Sequence, residues 1–142
     1  MRRKNWIRAS GKSRITVSES EKENIQKLCE KFIETTLSSR AVRPFNPSIK
    51  LQQCIAIKLL SRGNLFRFAM RINDTRNDVI ESEYDVPFAR LEYRVENQFL
   101  CGYMRHTGAW LDLTFGMPVS LTAALSMIAE EPHFDIAFMF GS

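Results

Sequence analysis

One change in the period of the apolar residues constrains this chain's fold more than any other feature. Ile25, Leu28, Cys29, Phe32, Ile33 and Leu37 fall three or four positions apart, the spacing that lines one face of an α-helix. From residue 49 onward apolar residues recur at every second position, the period of a strand whose side chains alternate between two faces. Strands are expected at 49–60, 65–72, 88–95, 98–105 and 110–115. Ser61-Arg62-Gly63-Asn64, Glu96-Asn97 and residues 106–109 supply the turns. Ser18-Glu19-Ser20-Glu21 has the form of a capping box, so the first helix should begin at residue 19 and run to about 38. Pro44 and Pro47 bracket the loop behind it, and the polar, acidic stretch 73–85 reads as a second loop. Ser120 can cap a second helix carrying Leu121, Ala124, Leu125 and Ile128, stopped before Pro132. Residues 134–140 read as a short last strand.

Helix, meandering strands, helix and strand make an α+β domain. Its expected form is a mainly antiparallel sheet of five to six strands, with one N-terminal and one C-terminal helix packed on one face. A basic N-terminal arm at 1–17 precedes this single domain, which spans residues 18–142. Disorder and a disulfide scaffold are excluded, because 44% of the 142 residues are hydrophobic and three are cysteine. The cysteines, Cys29, Cys54 and Cys101, read as buried reduced thiols. No apolar run approaches the ~20 residues of a membrane span, and no apolar stretch follows the first six residues. A cytoplasmic protein without a membrane partner is expected.

The charge is uneven. Residues 1–76 hold 17 Lys/Arg against 6 Asp/Glu, and residues 77–142 hold 3 against 10. Such a dipole bears on partners rather than on fold. The arm alone carries Arg2, Arg3, Lys4, Arg8, Lys12 and Arg14, with no acid among them.

Turn lengths extend the reading to the two faces of the sheet. A two-residue turn at Glu96-Asn97 sets Val95 opposite Gln98, Tyr93 opposite Leu100 and Leu91 opposite Gly102. One face then gathers Ala89, Leu91, Tyr93, Val95, Leu100 and Met104. A four-residue loop sets Arg105 opposite Trp110, and Leu111, Leu113 and Phe115 join the same face. In the first hairpin the apolar face holds Ile55, Ile57, Leu59, Phe66, Phe68, Met70 and Ile72. The opposite face would carry Lys58, Arg67, Arg71, Arg90, Arg94 and Arg105, interleaved with Phe99, Tyr103 and Trp110. Arg90 would lie across from Tyr103, and Arg94 across from Phe99. Exposed aromatics and arginines on a sheet suit single-stranded nucleic acid, because bases stack and phosphates need cations.

Pro87-Phe88-Ala89-Arg90-Leu91-Glu92-Tyr93, Leu100-Cys101-Gly102-Tyr103-Met104-Arg105 and the following Trp110 resemble a small bacterial family known as a domain of unknown function. The opening helix, the closing helix and the ending Phe138-Met139-Phe140-Gly141 add to the likeness, which covers roughly residues 20–141. The family pattern has a basic residue before the tryptophan and a histidine after it; here those places hold Ala109 and Leu111. The resemblance implies a small bacterial α+β domain and supplies no activity. It also singles out Tyr103, Arg105 and Trp110.

Enzyme readings find little purchase. No Gly-Lys-Ser/Thr loop cradles a phosphate, no serine stands in a nucleophile elbow, and His106 and His133 lie too far apart in sequence for a zinc motif. Asp85 with Glu92-Tyr93-Arg94 imitates the carboxylates of a magnesium-dependent nuclease, but arginine stands where a lysine would orient water. The expectation is a non-enzymatic accessory protein that binds nucleic acid and uses neither cofactor nor metal. A protein-interaction subunit or inhibitor, docking through its charge dipole, is the alternative. The magnesium-dependent nuclease comes third.

Overall fold

The computed structural model describes residues 15–76, 82–105 and 108–130. The six cations of the basic arm and the expected last strand at 134–140 lie outside these residues.

Helix α1 spans Glu19–Phe32. Ser18 accepts a hydrogen bond from the Glu21 N–H at 3.2 Å, and the Glu21 carboxylate reaches back to accept from the Ser18 hydroxyl at 3.1 Å. The helix continues through a π segment, Ile33–Leu37, into α2, Ser38–Ala41. Its buried residues are Ile25, Cys29, Ile33, Leu37 and Ala41, each four positions from the last. Four residues over-rotate an α-helix by about 40°, so a regular helix would carry the later members of this row off the core. The wider π turn takes up that drift. Leu28, expected in the stripe, faces solvent because the buried row follows Cys29 instead.

Five strands follow: β1 (Gln52–Arg62), β2 (Leu65–Asp74), β3 (Ser82–Val95), β4 (Gln98–Met104) and β5 (Trp110–Asp112). They form one antiparallel meander in the order β1-β2-β3-β4-β5. Helix α3 (Leu121–Glu130) closes the described fold. Ser120 accepts from the Ala123 N–H, as expected of a cap, and Asn97 in the β3–β4 turn accepts from the Leu121 N–H, both at 3.1 Å. The antiparallel α+β architecture read from the sequence is therefore the observed one, with α1 packed on β1 and α3 on β4. No helix among the described residues is long and apolar enough to cross a membrane.

Two boundaries differ from expectation. Both ends of the supposed loop 73–85 are strand, because Asn73, Asp74 and Ser82 to Asp85 continue the β2–β3 ladder. Ion pairs across the strands sustain that ladder where an apolar pattern gives no sign of it. Strand β5 is shorter than expected and ends at Asp112. The Asp112 carboxylate accepts from the backbone N–H of Thr114 and of Gly116, both at 2.8 Å, and turns the chain away.

Three bulges set the faces. Ile55 on β1, Phe88 on β3 against β2, and Arg94 on β3 against β4 each stand as an extra residue. The last corrects the sequence register. Val95 faces Gln98 as expected, but Tyr93 faces Phe99, Leu91 faces Cys101 and Ala89 faces Tyr103. A shift of one residue exchanges the faces of a strand. Phe99 and Tyr103, expected on the outer face, are therefore buried in the core, and Leu100 and Met104 stand outside. The Phe99 ring meets Tyr93 edge-on, centroids 5.7 Å apart.

Candidate functional site

The outer face of the sheet is ordered in rows that cross the strands. Arg62, Leu65, Glu92 and Leu100 form one; Leu60, Arg67, Arg90, Gly102 and Asp112 form the next. Further along, Lys58 faces Ala69 and Met104 faces Trp110, followed by the row of Ala56, Arg71 and Asp85. Of the expected outer residues, Lys58, Arg67, Arg71, Arg90 and Trp110 do share this face. Trp110 arrives there because two shifts of one residue cancel: the Arg94 bulge, and a turn that sets Trp110 opposite Met104 instead of Arg105. Arg94 is exposed at its bulge, and Arg105 is exposed beyond the end of β4, so neither lies across from an aromatic.

At one end of this face every cation has an acid. Asp85 accepts from Lys58 at 3.3 Å and from Arg71 at 3.2 Å, while Glu83 accepts from Arg71 at 3.2 Å. Burial would raise the Asp85 pKa, but the hydrogen bonds from Arg71 and Lys58 outweigh it and hold the carboxyl below its ordinary range. Asp85 and Glu92 lie on one strand seven residues apart, roughly 20 Å at the usual rise. They do not share a metal site, and the nuclease arrangement imagined from sequence is not formed. No His/Cys/Asp/Glu cluster of metal-binding size occurs among the described residues.

The other end is different. Arg67 and Arg90 are direct neighbours across β2 and β3, a pairing of like charges that costs stability. Among the described residues no carboxylate lies within ion-pairing distance of either. The Arg90 guanidinium stacks over the Trp110 ring, 4.6 Å from its centroid, an attraction between cation and π-face. Gly102 lies across from Arg90 and packs closely against the backbone of β5. A Cβ there would meet the Leu111 carbonyl oxygen at 3.0 Å and the Arg90 Cγ at 3.9 Å. Its absence leaves a hollow of about 110 Å³ between Arg90, Trp110 and Asp112, rimmed by Glu92 and Leu100. Glu92 is held by Arg94 at 3.5 Å. For Asp112, burial is outweighed by the Thr114 hydroxyl and by the backbone N–H groups of its own turn, which keep it charged and aimed at that turn.

Arg62 and Asn64, which sequence reasoning missed, complete this end. Arg62 is exposed at the last position of β1. Asn64 accepts from the Val17 N–H at 3.0 Å and donates to the Ile15 carbonyl at 2.6 Å and to the Tyr93 carbonyl at 3.2 Å. Ile15 and Val17 are thus held at the turn that follows Arg62; Arg2, Arg3, Lys4, Arg8, Lys12 and Arg14 lie outside the described residues. The Gly63-Asn64 turn was legible; the anchoring was not, since it joins residues 47 apart.

A family model described as a domain of unknown function, DUF3024, matches residues 17–135. The chain belongs to the DUF3024 family. No curated protein and no solved structure matches it. The DUF3024 match bears out the resemblance read from the strands around Tyr93 and Trp110, and it takes in the whole outer face while leaving the basic arm outside.

This DUF3024 chain has a second exposed surface. Phe115 is 89% exposed at φ 54° and Met117 is 73% exposed, both in the turn held by Asp112. With Leu111, Leu113 and Met127, Phe115 lines an apolar groove of about 350 Å³ that ends at Glu130. The three cysteines are buried and in no disulfide. Burial pushes the Cys29 thiol up to about 12, with the Glu30 charge adding, and the Cys54 thiol up to about 11. Neither is a ready nucleophile.

Proposed function

We propose that this protein is a bacterial, cytoplasmic, non-enzymatic accessory protein that binds nucleic acid across the open end of its outer sheet face. The observation that carries the reading is the Arg67–Arg90 pair. Arg67 and Arg90 stand in register with no carboxylate in ion-pairing range of either among the described residues, Arg62 adds to the charge, and in this reading the cations of the basic arm supply further phosphate contacts. Phosphates offer the counter-charge such a surface lacks, and releasing their condensed cations drives association. The reading no longer includes Phe99 and Tyr103 as stacking residues. Three buried cysteines in no disulfide suit a reducing compartment.

The test is titration of a short fluorescent oligonucleotide with the purified chain, followed by anisotropy. Binding is expected at low salt. It should weaken by roughly tenfold when Arg67 and Arg90 are both replaced by glutamine. Absence of binding, or binding indifferent to those replacements, would end the proposal.

The apolar groove beside Phe115 favours a second reading, a surface for a protein partner. Phe115→Ser should then abolish a complex that Arg67→Gln leaves intact.

A further inference from the structure

The hollow over Gly102 has no part in holding a phosphate, since its rim carries two carboxylates. It is lined by residues of β4 and β5 around Gly102, by Trp110, on whose ring Arg90 stacks, and by Glu92. An indole beside an arginine plane suits an aromatic ring. Of the two acids, Asp112 spends both oxygens on its own turn, accepting from the Thr114 N–H and hydroxyl and from the Gly116 N–H. Glu92 is held by one solvent-facing ion pair to Arg94 at 3.5 Å, which a ligand can exchange at little cost. The acceptor that a ligand can win is therefore Glu92, and an acceptor reads an amino group.

Resting on the nucleic-acid reading above, we infer that this hollow takes one unstacked base of a single strand, and prefers a base bearing an exocyclic amino group. Arg90 and Arg67 lie on the next strands of the same row, so the backbone of the held nucleotide runs over cations while its base enters the hollow. A duplex, whose bases are stacked and paired, cannot fill it. Cytosine and adenine present amino donors to Glu92; thymine presents none.

The experiment compares oligodeoxycytidine, oligodeoxyadenosine, oligothymidine and an abasic strand of equal length, bound to the full chain and to its Trp110→Leu and Glu92→Ala variants. The full chain should bind the cytidine and adenosine strands at least about fivefold more tightly than the abasic strand, the low end of what one stacked base contributes. Trp110→Leu should bring that ratio to about one. Glu92→Ala, a surface change that leaves the fold intact, should remove the preference for cytidine over thymidine without removing the preference for bases over abasic backbone. Equal binding of base-bearing and abasic strands overturns the inference and leaves the phosphate reading standing. Failure of every strand to bind overturns both.

Discussion

The two ends of the outer sheet face are built from the same residue types and do opposite things with them. At the end marked by Asp85, Lys58 and Arg71 are matched by Asp85 and Glu83 within 3.3 Å, so the charges satisfy one another and extend the β2–β3 ladder. At the end marked by Gly102, Arg67 and Arg90 oppose each other, and Arg90 turns to the Trp110 ring for want of a carboxylate. A matched pair on a surface needs no partner. An unmatched pair in register costs stability and persists to advantage where something outside the chain supplies the anion. Counting arginines on a face thus says less than asking which of them are already answered.

The largest effect expected to test this contrast is on affinity. Arg67→Glu with Arg90→Glu should weaken oligonucleotide binding on the order of 100-fold at low salt, measured by anisotropy. Next comes Gly102→Val. Its side chain would press on the Leu111 carbonyl and the Arg90 stem, and denaturant unfolding should show a loss of ~1–3 kcal/mol, as for other overpacked sites. Binding should fall as well, because the Arg90–Trp110 stack cannot form over the branched side chain.

The matched end predicts a dependence on pH. The folded pKa of Asp85 is depressed below its ordinary 3.8, so its contribution is present above that value and is lost as pH falls through the folded one. Thermal melts should show Asp85→Asn less stable than the parent at neutral pH, with the two converging in strong acid. The smallest effect belongs to Lys58→Gln. It should change oligonucleotide affinity by less than about twofold, since the Lys58 charge is already spent on Asp85. A loss as large as that at Arg67 would erase the distinction between the ends.

Much of this was legible in the sequence. The change from helical to alternating period, the Ser18 and Ser120 caps and the two-residue turn at Glu96-Asn97 all read correctly, because each is local. The Arg94 bulge was not legible. Nothing in Tyr93-Arg94-Val95 marks an extra residue, and one slip sent Phe99 and Tyr103 to the wrong face. Their aromatic character suited a stacking platform and a core equally well; burial decided for the core. Lys58, Arg67, Arg71 and Arg90 lie upstream of that slip and were placed correctly. The ion pairs that separate Arg71 from Arg67 come from Asp85 and Glu83, read as loop, so the answered and unanswered arginines looked alike. Gly102 did carry a signal, since a glycine inside a strand marks a close approach, here of the Leu111 carbonyl on β5.

The most direct test of the central claim is the slope of log affinity against log salt for a single-stranded oligonucleotide. The parent chain should give a straight line of negative slope. Arg67→Gln with Arg90→Gln should make it shallower by about 1.4, roughly 0.7 for each phosphate that the variant leaves without a cation. An unchanged slope in that double variant, with Lys58→Gln and Arg71→Gln flattening it instead, would contradict the account.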